Sequence, residues 1–327
     1  MKKLNSINKD IFPIGLGCMG MSDFYGSKAT RNDDQNIETI KAALDAGINY
    51  LNTADYYGAG HNELLIREAV KDRKDKPLVA VKFGGLRTPS GGFTGVDTTP
   101  NAVKNFAAYT LTRLNVEAID IYIPGRINPA IPVEDTVGAI SELIKEGKVK
   151  YLGLSEANAA VLRKAHSVHP VSVVEVEYSL ATRVIEKELL PVCRELGVGI
   201  TAYGVLSRGL LTGGMTGKFE PTDFRGHSPR FTGENFEKNK KRIEVLKELA
   251  DKKGCSPSQL AIAWVLNQGD DILPLLGTTK VIRLKEYLDA LNVKLTKEEL
   301  KNLSDTFPEG SFAGERYDEN QMRIVVN

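Results

Sequence analysis

Two stretches of the chain carry side chains able to exchange a proton. In Gly47-Ile48-Asn49-Tyr50-Leu51-Asn52-Thr53-Ala54-Asp55-Tyr56-Tyr57-Gly58 a short apolar run breaks into a polar loop with paired tyrosines. In Pro77-Leu78-Val79-Ala80-Val81-Lys82-Phe83-Gly84-Gly85 a lysine stands at the exit of a second apolar run. A free phenol, with a pKa near ~10, is a poor acid-base group at neutral pH. A neighbouring ammonium stabilises the phenolate and lowers that value. A phenol of the first stretch and the Lys82 ammonium can therefore form a proton-donating pair.

Such a pair needs a scaffold whose strand ends converge. Largely apolar runs at 48–52, 78–83, 119–123, 151–155, 171–177, 199–203, 272–276 and 291–294 predict parallel strands covered on both faces. Helical patterns lie between them. Those over 33–46, 133–146 and 186–196 stop at Gly47, Gly147 and Gly197, where a left-handed helix end favours glycine. A strand-helix alternation of this length predicts a single (β/α)₈ barrel spanning 1–327. Residues 4–14 read as two short strands around Asn8-Lys9-Asp10, an N-terminal β-hairpin lid. A Gly-, Pro-, Thr- and Arg-rich loop over 207–235 follows the sixth strand and is expected to be a functional cover or to be mobile. In this fold the C-terminal strand ends share one mouth, so Asn52, Tyr57, Lys82 and Gly125 are expected to converge. Substrate specificity is expected from the loops 84–99 and 207–235, the first made mobile by Gly91, Gly92 and Gly95.

Composition narrows the partners. The 43 basic and 42 acidic residues leave a net charge of +1, which provides no field to steer nucleic acid or an anionic membrane. Cys18, Cys193 and Cys255, with His61, His166, His169 and His227, form no metal-ligand spacing, so no metal is expected. The first eight residues lack a signal-peptide apolar region, and no stretch approaches the ~20 apolar residues of a membrane span. A cytoplasmic location is expected. Gly15-Leu16-Gly17-Cys18-Met19-Gly20 matches a dinucleotide fingerprint, with Asp33 and Asp34 at a distance suited to a ribose contact. That motif needs its third glycine to open a helix, whereas Ser22, Asp23, Gly26, Ser27 and Thr30 make the following segment a loop. The run is read instead as a turn leaving the lid hairpin.

Over its whole length the chain resembles the bacterial aldo-keto reductases with the long loop. Besides the stretch 46–58, the resemblance rests on Val81-Lys82-Phe83-Gly84, Tyr151-Leu152-Gly153-Leu154-Ser155, Glu177-Tyr178-Ser179-Leu180 and Ala202-Tyr203-Gly204-Val205-Leu206-Ser207-Arg208-Gly209. Asp223-Phe224-Arg225, Pro229-Arg230-Phe231 and Leu273-Pro274-Leu275-Leu276-Gly277-Thr278-Thr279-Lys280 continue it. The resemblance implies a tetrad of Asp, Tyr, Lys and His at the barrel mouth, the tyrosine protonating a carbonyl oxygen during hydride attack from NADPH. Tyr57 and Lys82 match two of its members. Asn52 stands where the aspartate is expected, and Gly125 where the histidine is. His61, four residues after Tyr57, is a candidate to replace that histidine.

The cofactor site implied by the resemblance holds the nicotinamide through Ser155, an asparagine and a glutamine. Glu156 and Glu175 occupy the last two positions. A carboxylate accepts from the carboxamide NH₂ but cannot donate to its oxygen. Tyr203 matches the ring that stacks on the nicotinamide, Leu206 and Arg208 the loop along the pyrophosphate, and Thr278, Lys280 and Arg283 the pocket for the 2′-phosphate of NADPH. Glu286 matches an adenine contact, and Tyr287 beside it is expected to stack on that base. Asp223, Phe224, Arg225, Arg230 and Phe231 are expected to fold over bound cofactor. The chain reads as an NADPH-dependent oxidoreductase acting on a small-molecule carbonyl or alcohol. Asn52, Gly125, Glu156 and Glu175 motivate an alternative, a nucleotide-binding barrel that reduces carbonyls poorly and serves as a sensor or binding subunit.

Overall fold

The computed structural model describes residues 1–4, 7–25, 30–220, 223–323 and 325, the side chain of residue 320 excepted. Among them, in chain order, the strands are β1 (Gly15–Gly17), β2 (Tyr50–Ala54), β3 (Leu78–Phe83), β4 (Gly85–Arg87), β5 (Phe93–Val96), β6 (Ile119–Pro124), β7 (Val149–Ser155), β8 (Val171–Glu177), β9 (Gly199–Tyr203) and β10 (Ile272–Gly277). Eight of these close a barrel in the order β1-β10-β9-β8-β7-β6-β3-β2, with every pair parallel. Helices cover the outside, which explains the largely apolar runs: every residue of β8 is buried.

Local sequence sets the ends of the helices. The helix Asp33–Asp45 starts where the Asn32 side chain accepts from Gln35 N, and it ends at Gly47, whose φ of +97° lets Ile48 N reach Ala43 O. Ser256 with Gln259, and Thr296 with Glu299, form capping boxes for Pro257–Leu266 and Lys297–Thr306. No helix among the described residues is long and apolar enough to cross a membrane.

The strand count of eight holds, but two of its members differ from expectation. Residues 291–294 form no strand: a 3₁₀ turn over Ala290–Asn292 leads into irregular chain. Leu291 and Leu295 are half-buried against the core, and the alternation that resembles a strand comes from chain lying on the helical layer. The missing strand is β1, within the glycine-rich run taken for a turn. A Cβ on Gly15 would fall 2.7 Å from Leu275 Cδ2, so glycine allows β1 to approach β10 closely. The long loop accordingly follows the seventh barrel strand, β9, rather than the sixth. The loop after β3, expected to be mobile, contains the antiparallel pair β4 and β5.

The N-terminal segment turns back through an antiparallel bridge between Lys2 and Ile11, and residues 5–6 of the expected hairpin lie outside the described residues. Leu4, Ile7 and Ile11 are buried against Tyr50, Leu78, Val173 and Leu273. They plug the end of the barrel where the strands begin, leaving the opposite end for the site.

Candidate active site

Two neighbouring barrel strands and one across the barrel converge on a buried polar triangle. β2 contributes Asn52, β3 Lys82 and β8 Glu175, each 5% exposed or less. Lys82 Nζ donates to Asn52 Oδ1 at 2.6 Å and pairs with Glu175 Oε1 at 2.8 Å. Asn52 Nδ2 donates to Glu175 Oε2 at 2.6 Å. The amide is thereby oriented by chemistry, its oxygen toward the ammonium and its nitrogen toward the carboxylate.

Tyr57 lies directly beyond this triangle, in a 3₁₀ turn that Gly58 and Ala59 bend through left-handed backbone at φ of 59° and 53°. Its ring, 5% exposed, packs edge-on to Phe24 at 5.1 Å and Tyr56 at 5.2 Å. The Lys82 ammonium stands over the Tyr57 ring, 5.2 Å from its centroid. Lys82 therefore meets the face of the phenol, while its close polar contacts are Asn52 and Glu175. Burial, followed by the Glu175 carboxylate, pushes the Tyr57 phenol well above its ordinary value, against the pull of the Arg126 guanidinium. Burial outweighs the lowering expected from the ammonium. Tyr57 is held as a protonated phenol.

Gly125, after β6, does not leave an open space. A Cβ there would fall 2.5 Å from the Tyr56 hydroxyl, and one on Gly85 would fall 2.8 Å from the Tyr56 ring. These two glycines make room for a second phenol beside Tyr57. The neighbouring Arg126 donates to Gly125 O at 2.7 Å and to the Tyr317 hydroxyl at 3.3 Å. His61 does not reach the mouth. Its ring bonds Ser22 Oγ and Asp33 Oδ2, each at 3.0 Å, tying together the starts of two helices.

An outer cluster of charge surrounds the mouth. Arg316 grips Glu156 with two N–H groups at 3.2 and 3.1 Å, and the Tyr203 hydroxyl donates to Glu156 at 2.7 Å. Glu177 pairs with Arg208 at 3.1 Å and Arg230 at 3.4 Å and accepts from Thr182 at 2.9 Å. Tyr317 joins its hydroxyl to that of Tyr203 at 2.9 Å, under the Arg208 guanidinium at 4.6 Å. Burial alone would raise both carboxyls. For Glu156, Arg316 and Arg126 reverse that effect, and for Glu177, Arg208, Arg316 and Arg230 do so, holding both groups below the usual carboxylate range. Arg316 and Tyr317 escape sequence reasoning because no local pattern marks the tail, although an arginine-tyrosine pair following Gly314 was a weak signal. The paired tyrosines, set against Gly85 and Gly125, were the corresponding signal for Tyr56.

The residues expected to hold a cofactor are spread over several strand ends and loops. Ser155 Oγ is buried without a partner among the described residues, at the end of β7. Glu156, Glu175, Tyr203 and Arg208 are engaged in the two clusters described, so Arg208 turns inward to Glu177 rather than lying along an open loop. Leu206 is buried beneath the long loop, where Arg225 donates to Arg208 O at 3.1 Å and pairs with Asp223 at 2.6 Å. At the end of β10, Thr278 accepts from Lys280 N at 3.1 Å, and the helix Val281–Asp289 begins without a side-chain cap. Arg283 is exposed there and pairs with Glu286 at 2.8 Å, while Glu286 accepts from Ser256 at 3.0 Å. Tyr287 is buried in the hydrophobic core, which removes it from any stacking role.

An orphaned buried hydroxyl at one strand end and an uncapped helix start with hydroxyl and cationic side chains at another fit a dinucleotide with a terminal phosphate. Backbone strain marks the same rim. Of the five non-glycine residues with left-handed φ among the described residues, Ala59, Glu156, Ser207 and Arg208 lie in mouth loops. No group of His, Cys, Asp and Glu among the described residues is arranged to hold a metal.

The comparisons agree with this architecture. The sequence pattern of the aldo/keto reductase family matches residues 13–306. A probable aldo-keto reductase 1 of Glycine max is 42% identical over 320 residues, spanning 96% of this chain and 91% of the relative. The glycerol dehydrogenase of Gluconobacter oxydans superposes with a TM-score of 0.84 at 30% identity, over 93% of this chain and 94% of its own. An aldo/keto reductase of Klebsiella pneumoniae, solved with NADP and acetate, shares the fold with a TM-score of 0.71 at 23% identity, over 94% and 95% of the two chains. The chain belongs to the aldo/keto reductase family.

Proposed function

We propose that the protein is an NADPH-dependent oxidoreductase that reduces an aldehyde or ketone to an alcohol, or runs the reverse reaction, with Tyr57 as general acid. The observation that carries this reading is the buried Tyr57 phenol at the barrel mouth, backed by the Lys82 ammonium at 5.2 Å and sharing a rim with the Ser155 hydroxyl, which has no partner among the described residues. NADPH, when bound, supplies the hydride. Tyr57 gives its proton to the carbonyl oxygen as the hydride reaches the carbon, so a neutral alcohol leaves and the phenolate is refilled from solvent. Lys82 offsets the phenolate charge through the ring face. Tyr56, whose hydroxyl fills the space at Gly125, orients the carbonyl. A positioned proton donor contributes roughly 10²- to 10⁴-fold to such a step.

Lys280, Arg283 and Thr278 at the start of the helix Val281–Asp289 support recognition of the 2′-phosphate, and hence NADPH over NADH. The thiols of Cys18, Cys193 and Cys255 are all free, which favours a reducing, cytoplasmic setting. Replacing Tyr57 by Phe is expected to abolish NADPH consumption with carbonyl substrates while NADPH binding stays nearly intact. Unchanged turnover would refute the assignment.

The second reading, a nucleotide-binding barrel with weak reductase activity that serves as a sensor or binding subunit, draws on the tail. The Arg316–Glu156 pair and the Tyr317–Tyr203 contact span the rim beside Ser155. It predicts tight NADPH binding with carbonyl turnover no faster than that of Tyr57→Phe.

A further inference from the structure

We propose that Glu175 on β8 is the charge-balancing residue of the acid site and acts through Lys82, with Asn52 serving as the neutral bridge that locks the two together. The inference rests on the reductase reading for its catalytic consequence but on the triangle alone for its physical content. Among the described residues Lys82 pairs with one carboxylate, Glu175 Oε1 at 2.8 Å, and both side chains are almost wholly buried. A buried ammonium is costly unless paired, so this contact is the one that balances its charge.

The amide at 52 is the second observation. Its oxygen accepts from Lys82 and its nitrogen donates to Glu175, both at 2.6 Å. A carboxylate at 52 has no proton to give Glu175, and would place two buried like charges at hydrogen-bond distance. A carboxamide at 175 would leave Lys82 with no counterion. Positions 52 and 175 therefore form one unit: the site holds one negative charge, and whichever of the two carries it, the other must be an amide. The present arrangement also occupies both Glu175 oxygens within the barrel, turning that side chain from the cofactor toward the proton donor.

The test is an exchange of the two groups. Asn52→Asp, Glu175→Gln and the double variant Asn52→Asp/Glu175→Gln are compared with the parent in two measurements. One is the thermal unfolding midpoint without cofactor, and the other is kcat/KM for reduction of 4-nitrobenzaldehyde by NADPH. Each single variant is expected to lose roughly 100-fold in kcat/KM and to unfold about 5 °C or more below the parent. The double variant, with one ammonium and one carboxylate again, is expected to recover to within about 10-fold in kcat/KM and to unfold above both single variants. A double variant no more stable than the worse single variant would overturn the proposal, as would a Glu175→Gln protein indistinguishable from the parent. If the parent reduces no carbonyl, the reductase reading fails, while the unfolding midpoints still decide this proposal.

Discussion

The two charged clusters at the mouth are built on different parts of the chain. Lys82, Asn52 and Glu175 project from β3, β2 and β8, strands locked by their neighbours in a closed barrel. Of the charged residues in the outer cluster only Glu177 sits on a strand, while Glu156, Arg208, Arg230 and Arg316 come from loops and the tail. The charges differ as well. The inner cluster matches one ammonium with one carboxylate, whereas the outer sets three guanidiniums against two carboxylates, with Arg126 beside them. A balanced, strand-held group suits proton transfer, which needs fixed geometry. A loop-held group with surplus positive charge suits an anionic ligand that must enter and leave, because loops open at less free energy than barrel strands.

The comparison breaks most visibly at Lys82. Lys82→Met leaves Glu175 buried without a counterion and is expected to lower stability by roughly 3–5 kcal/mol, as measured by urea unfolding. Reductase kcat/KM should fall by about 10³-fold in the same protein. An inner-cluster variant as mild as those of the outer cluster would remove the distinction.

Acid separates the clusters next. The depressed carboxyls of Glu156 and Glu177 contribute stability that is full above the ordinary carboxylate value of 4.5 and is lost as pH falls through their lower folded values. Unfolding midpoints followed from pH 7 to 3 should drop in that window, and Glu177→Gln should shrink the drop. Tyr57 works in the opposite direction: its raised value keeps the acid form intact past pH 10, so reduction should show no loss where a free tyrosine titrates.

Smaller effects sharpen the picture. Gly125→Ala forces the Tyr56 hydroxyl aside and should reduce kcat/KM by roughly 10- to 100-fold with little change in NADPH affinity. Arg316→Ala should speed NADPH association by about 10-fold or less in stopped-flow fluorescence, since one tether of the tail is lost.

The barrel was legible because parallel strands covered on both faces leave apolar runs, and glycines mark the helix ends. It was misread where those signals fail. β1 is three residues long with glycine at both ends, and the half-buried alternation at 291–294 imitates a strand. Asn52, Tyr57 and Lys82 could be found because they sit on or just after strands, whose C-terminal ends must converge, whereas Glu175 was reached only through the family resemblance, as a nicotinamide contact. Their pairing could not be read: the contact of Glu175 with Lys82 crosses the barrel and depends on side-chain direction. Arg316 and Tyr317 left only a weak signal for a related reason, since the path of a tail over the mouth is set by tertiary contacts with Glu156 and Tyr203.

A crystal structure of the NADPH complex tests the central claim most directly. It should place the nicotinamide against the Tyr57 hydroxyl, with the Lys82–Glu175 pair still closed beneath the phenol. A nicotinamide bound away from Tyr57, or a Glu175 side chain swung from Lys82 to the cofactor, would contradict it.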